Sequence, residues 1–302
     1  MDGTTYDEFG LFQENAVEFG LPYDRAPTVR RAAVDVGGGR MISALVWGTG
    51  APDLVLVHGG AQNAHTWDTV ALALDRPLVA VDLPGHGHSS PRDDHAYWPH
   101  ENAESVEVAL RELAPEARLV VGMSLGGLTS IALADRAPDL VRELALVDVT
   151  PGVNHEKSTT IAQFIDGPET FASFDEILER TITFNPTRSE SSLRRGVLHN
   201  AVEAADGTWR WRYDLPRRGT AAGADGRLLP GLDELWDAIG RLKMPLTLFR
   251  GGLSPVVDDA DVTELQRRNP RARVVVVEGA GHSIQGDRPL ELAEYLRRIL
   301  DG

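Results

Sequence analysis

Apolar residues along this chain follow two alternating rhythms. Residues 53–57, 77–81, 119–121, 144–147, 245–250 and 273–277 are short, nearly continuous apolar runs, as expected of strands buried on both faces. Between them, residues 66–74, 101–113, 128–137, 259–268 and 288–300 read as helices. Pro138 stops the third of these, because it can neither donate a helical hydrogen bond nor clear the preceding turn. Residues 29–36 and 41–47 read as an antiparallel pair turned by Gly37-Gly38-Gly39. Residues 6–21 mix apolar and acidic positions and predict a short helix on the domain edge, ended by Gly20-Leu21-Pro22. Strands alternating with helices predict an α/β domain, a mostly parallel sheet with helices on both faces.

The alternation breaks at Gly152 and resumes after Arg241. Inside the interruption, residues 159–165, 174–183 and 191–204 look helical and amphipathic. Asp206-Gly207 starts a turn, and Trp209-Arg210-Trp211-Arg212-Tyr213 is a dense aromatic and cationic cluster. Its rings either roof a pocket or form a small core of the insertion's own. Residues 217–231, rich in Gly, Ala and Arg, read as loop.

Composition narrows the function more than the fold. The 302 residues, 42% hydrophobic, suffice for one large α/β domain or two modest ones. A formal net charge of -15 argues against non-specific binding to nucleic acid or an anionic membrane. With no cysteine there is no disulfide, no thiolate metal site and no cysteine nucleophile. No basic, apolar leader opens the sequence and no run is long enough to span a bilayer, so a cytoplasmic location is expected. The expected partner is a small-molecule substrate, with no cofactor or metal, and the chain is expected to work as a monomer or homodimer.

The candidate chemistry lies at the carboxyl ends of the predicted strands, where open α/β sheets bind ligands. Gly122-Met123-Ser124-Leu125-Gly126 is a Gly-x-Ser-x-Gly turn between strand and helix, the context of a nucleophile elbow. A serine hydroxyl needs an adjacent base. His282, in the loop between the last strand and the last helix, is the candidate. A carboxylate should orient that imidazole, and chain order places it between Ser124 and His282. Asp148, at the end of the strand after the elbow helix, competes with Asp258, which follows the next strand and can instead cap the helix starting near Asp259. The commoner slot after that later strand falls near Ser254, which carries no charge, so Asp148 is preferred. Oxyanion donors are expected from the backbone N–H groups of Leu125 and of Gly60 in His58-Gly59-Gly60-Ala61, with Ala61 in reserve. His65, Trp67 and Met123 are expected to line the pocket. His58, Asp82 and His86 read as braces for the loops. As metal ligands, together with His88, they lie on two separate loops and lack a helical pair. Nothing in the sequence assigns a role to His155 or His199.

The chain resembles the α/β-hydrolase superfamily, in particular esterases and carbon–carbon bond hydrolases with a helical cap. The likeness runs from about Val29 to the end. It rests on His58-Gly59-Gly60, Asp82-Leu83-Pro84-Gly85-His86-Gly87-His88-Ser89, Gly122-Met123-Ser124-Leu125-Gly126-Gly127 and Gly279-Ala280-Gly281-His282. The resemblance implies an eight-stranded, mostly parallel sheet with the second strand antiparallel and a cap inserted after the sixth. That gives an N-terminal extension (1–28), a core (29–151 and 242–302) and a helical cap (152–241). Some members look similar in having Arg-Gly-Gly-x-Ser-Pro after the seventh strand and take the acid from the end of the sixth, which favours Asp148. The implied activity is serine hydrolysis of an ester or thioester. Carbon–carbon bond cleavage, cofactor-free perhydrolysis and a non-catalytic receptor on the same scaffold are the alternatives.

Overall fold

The computed structural model describes residues 6–154, 156–214 and 231–302. Helix α1 (Phe12–Phe19) leads into strands β1 (Val29–Asp35), β2 (Met41–Trp47) and β3 (Leu54–Val57). Next come α2 (Asp68–Leu74), β4 (Leu78–Val81), α3 (Pro99–Leu113), β5 (Leu119–Met123), α4 (Leu125–Arg136) and β6 (Leu144–Val147). The interruption holds α5 (Thr159–Ile165), β7 (Thr170–Phe171), α6 (Phe174–Phe184), α7 (Glu190–Asn200), β8 (Ala201–Glu203) and β9 (Trp209–Trp211). The chain closes with α8 (Leu232–Arg241), β10 (Leu246–Gly251), α9 (Asp259–Arg268), β11 (Arg273–Val277), α10 (Ile284–Asp287) and α11 (Pro289–Asp301).

Eight of these strands form one sheet in the order β1-β2-β4-β3-β5-β6-β10-β11. β2 runs antiparallel to both neighbours, and every other pairing is parallel. The strand order turns back at β3, so β3 and β5 lie side by side, with Val57 opposite Gly122. A crevice opens at such a switch point beyond the strand ends, and the loops after β3 and β5 meet there.

Side chains alternate between the two faces of the sheet. Val120 of β5 joins the layer with Val106, Ile131 and Leu235, whereas Val121 and Met123 join the layer with Val70, Leu292 and Leu296. Burying each such Val or Leu contributes roughly 1.5–3 kcal/mol. Among the described residues, no helix is long and apolar enough to cross a membrane.

The interruption differs from the expected all-helical insertion in two respects. β7, β9 and β8 form a small antiparallel sheet, with Ala201 opposite Trp211 across the turn at Gly207. The alternation of Trp209, Trp211 and Tyr213 is a strand rhythm, and pairing with it ends α7 at Asn200. Helix α8 belongs to the core, because its Leu235 and Ile239 are fully buried in the layer that holds α4. The expected loop at 217–231 lies outside the described residues except for Gly231.

The N-terminal segment bridges core and insertion. Phe12 packs on Trp47 beside β2, with ring centroids 4.8 Å apart. On its other side Glu18 binds Ser189 and Arg195, Asn15 accepts from Arg195 Nε at 3.0 Å, and Tyr6 Oη lies 2.6 Å from His199 Nδ1.

Candidate active site

Ser124 sits between β5 and α4 with φ 51° and ψ -121°, a conformation strained for a residue with a Cβ. The turn closes because glycines flank it. A Cβ on Gly126 would lie 2.3 Å from the His58 carbonyl oxygen, and one on Gly122 would lie 2.5 Å from that of Gly126. The result holds the hydroxyl at the wall of a cavity of about 1440 Å3. Gly60, Met123, Leu125 and His282 line the same cavity.

His282 Nδ1 is 2.8 Å from Asp148 Oδ2. Asp148, fully buried at the end of β6, also has positive φ, 49°. Its Oδ1 accepts the Gly251 N–H at 2.8 Å, and its Oδ2 accepts the Ser254 hydroxyl at 2.5 Å. Ser254 therefore serves the carboxylate from the very slot that lacked a charge. Sequence reasoning missed that role, for which the signal was a hydroxyl one turn beyond β10. Asp258 is the N-cap of α9. Its carboxylate accepts the Asp261 N–H at 2.9 Å and pairs with Lys157 at 2.9 Å. His282 Nε2 has no hydrogen-bond partner among the described residues.

The loop after β3 is fixed by imidazoles used as backbone clamps. His58 Nε2 accepts the Leu83 N–H at 2.9 Å while its Nδ1 donates to the Gly59 carbonyl at 2.7 Å. His86 Nε2 accepts the Ala61 N–H at 3.2 Å and its Nδ1 donates to the Pro84 carbonyl at 2.9 Å. The Ala61 donor is thus spent, whereas the Gly60 N–H makes no hydrogen bond among the described residues. Burial opposes charge on Asp82, yet Arg31 and His58, with N–H donors from Ala64 and His88, hold its carboxyl below the usual range. With these nitrogens and oxygens committed to local hydrogen bonds, His58, Asp82 and His86 are braces, as expected.

Burial, reinforced by His86, pushes the His58 pKa down from 6.5 to about 3. The unfolded chain then binds a proton that the fold refuses, so stability is lost as pH falls from 6.5 towards 3. His58→Gln removes this linkage. The stability gap between wild type and variant should narrow over that window, by up to about 1.4 kcal/mol per pH unit. A gap that stays constant in urea titrations across the window would acquit His58 as the acid-sensitive group.

Of the expected pocket residues, Met123 lines the cavity, Trp67 lies elsewhere, and His65 lines a smaller chamber beside the cavity. Trp67 is fully buried in the core layer of α2 and α11. His65 faces Asp68 at 2.8 Å and Glu8 at 3.2 Å. Both residues belong to a turn of 3-10 helix over Ala64–Trp67, capped by the Asn63 side chain. The aromatic cluster divides. Trp211 and Tyr213 line the cavity, with Ile161, Phe164 and Phe184, while Trp209 packs on Phe174 within the insertion's own core.

His65, Asp68 and His199 bring potential metal-ligand atoms within 4.8 Å of one another. The two imidazoles are stacked 3.8 Å apart and 7° from parallel, so an ion cannot lie in both ring planes. Burial works against a charge on His65, but Asp68 and Glu8 outweigh it and push its pKa up to about 9. His199, whose pKa burial and the neighbouring His65 push well below 6.5, stacks on the His65–Asp68 pair. His155 lies outside the described residues.

The comparisons agree with this architecture. Residues 52–289 match the family described as alpha/beta hydrolase fold, and the chain belongs to that family. Esterase Rv0045c of Mycobacterium tuberculosis is 48% identical over 99% of this chain and 97% of its own. A solved structure of that esterase has a TM-score of 0.88 at 46% identity, covering 99% of this chain and 100% of that one. The pimeloyl-acyl-carrier-protein methyl ester esterase of Aeromonas salmonicida is 29% identical over 82% of this chain and 94% of its own. Among α/β hydrolases, this enzyme stands with the serine ester hydrolases.

Proposed function

We propose that Ser124, His282 and Asp148 form a catalytic triad that cleaves a small, partly apolar ester or thioester through an acyl-enzyme. The observation that carries this reading is the 2.8 Å contact between His282 Nδ1 and buried Asp148, in a cavity whose wall holds the Ser124 elbow. His282 Nε2 takes the Ser124 proton as Oγ attacks the ester carbonyl, and returns it to the departing alcohol or thiol. Asp148 holds the Nδ1 proton and stabilises the imidazolium as it forms. The Gly60 and Leu125 N–H groups receive the oxyanion, and a water activated by His282 then releases the acid. The open Nε2 suits this role, since catalytic hydrogen bonds often tighten only when substrate arrives. The insertion acts as a cap, supported by Ile161, Phe164, Phe184 and Trp211 in the cavity wall.

A fluorophosphonate probe tests the reading. It should label the wild-type enzyme at Ser124, with turnover of short 4-nitrophenyl esters lost in step with labelling. Full turnover by quantitatively labelled enzyme, or labelling confined to another residue, would overturn it.

A further inference from the structure

We propose that a small polar chamber beside the Ser124 cavity is a carboxylate subsite, in which Arg188 receives the acidic end of an ester substrate. This rests on the triad reading and adds a substrate class to it. The chamber has a volume of about 140 Å3 and lies between core and insertion. Gln62 and Asn185 form walls of both spaces, so the chamber adjoins the main cavity beside the oxyanion loop. Where the main cavity is largely apolar, this one is about evenly polar and apolar, its polar wall made by amides and hydroxyls such as those of Thr66, Ser192 and Gln285 and by buried Asp68, which His65 pairs.

Arg188 is its unbalanced charge. Nη2 donates to Ser192 Oγ at 2.7 Å, Nε is buried without a partner, and Nη1 makes no hydrogen bond among the described residues. The other cations of the wall are paired: Arg195 with Glu18, and His65 with Asp68 and Glu8. No described carboxylate lies within ion-pair distance of Arg188. Asp287, nearby, spends its oxygens on Thr187 Oγ1 at 3.1 Å and the Gly281 N–H at 2.7 Å. The guanidinium lies against Gly286, where a Cβ would come within 2.8 Å of Cζ, so the chain leaves room for it. Burial lowers the Arg188 pKa, although Asp287 opposes the shift. A guanidinium with unspent N–H groups in a partly dry, polar chamber fits a carboxylate, which it can bind through charge-assisted hydrogen bonds.

The test compares half-esters with neutral esters of equal length. Mono-4-nitrophenyl esters of succinic, glutaric, adipic and suberic acids are set against 4-nitrophenyl butanoate, pentanoate, hexanoate and octanoate. Wild type should prefer the acid at one length or more by about tenfold or better in kcat/KM. Arg188→Gln should remove that preference through KM and leave the neutral esters unchanged, and Arg188→Lys should restore part of it. No preference at any length, or equal losses on acidic and neutral esters in Arg188→Gln, would overturn the proposal. Inhibition by free adipate that depends on Arg188, without any half-ester preference, would make the chamber an effector site and overturn it equally. Failure to turn over either series would instead count against the triad.

Discussion

Ser124→Ala should lower ester turnover by on the order of 10⁵-fold or more while leaving the fold intact. The loss is large because the other parts act through the hydroxyl: without Oγ there is no proton for His282 to take and no acyl-enzyme. Residual activity would come from the Gly60 and Leu125 donors acting on an attacking water. The fold should persist because the strain at Ser124 is in the backbone, which alanine shares, and Ser124 Oγ makes no hydrogen bond among the described residues. The check is a single-turnover assay beside a thermal melt. Turnover within tenfold of wild type would remove Ser124 as the nucleophile.

Asp148→Asn should cost about 10⁴-fold in turnover, against little change for Asp258→Asn. Both oxygens of Asp148 face donors: the Gly251 N–H on one, the Ser254 hydroxyl and the His282 Nδ1–H on the other. An amide must turn its NH2 towards one of those sets, setting donor against donor. Directed at His282, it favours the tautomer with the proton on Nε2, which cannot accept from Ser124. Asp258 meets the Asp261 N–H and Lys157, and asparagine serves about as well at an N-cap. Its variant loses only a half-exposed ion pair, worth about 1 kcal/mol or less. If Asp258→Asn proves the more damaging in kcat, the assignment of the acid is wrong.

The parts of this molecule that could be read in advance were those fixed by local geometry at strand ends. A serine between Gly122 and Gly126, a histidine after the last strand and a carboxylate ending β6 sit where the sheet's connectivity must bring them together. The role of Ser254 was not legible, because it depends on a partner more than a hundred residues away. Nearness in sequence to the Gly60 loop does not separate His65, which borders the smaller chamber, from Trp67, which a 3-10 turn places in the core. The strands of the insertion are two or three residues long, too short for alternation to stand out from noise. Residues 232–241 read as insertion because the alternation resumes only with β10, whereas their buried face packs in the layer of α4.

The bridge made by Tyr6, Asn15 and Glu18 joins stretches about 180 residues apart in sequence. Those contacts tie α1, which packs on α2 and Trp47, to α7, which packs on α6 and β8. In hydrogen exchange the two helices should therefore open as one cooperative unit, below the global unfolding free energy. Removing the first twenty residues would then loosen the wall that carries Arg188 and Phe184 and also uncover Trp47, which Phe12 covers. An affinity tag or fusion partner is safer at the carboxyl end, where α11 finishes at the surface, than on a segment that fastens α7.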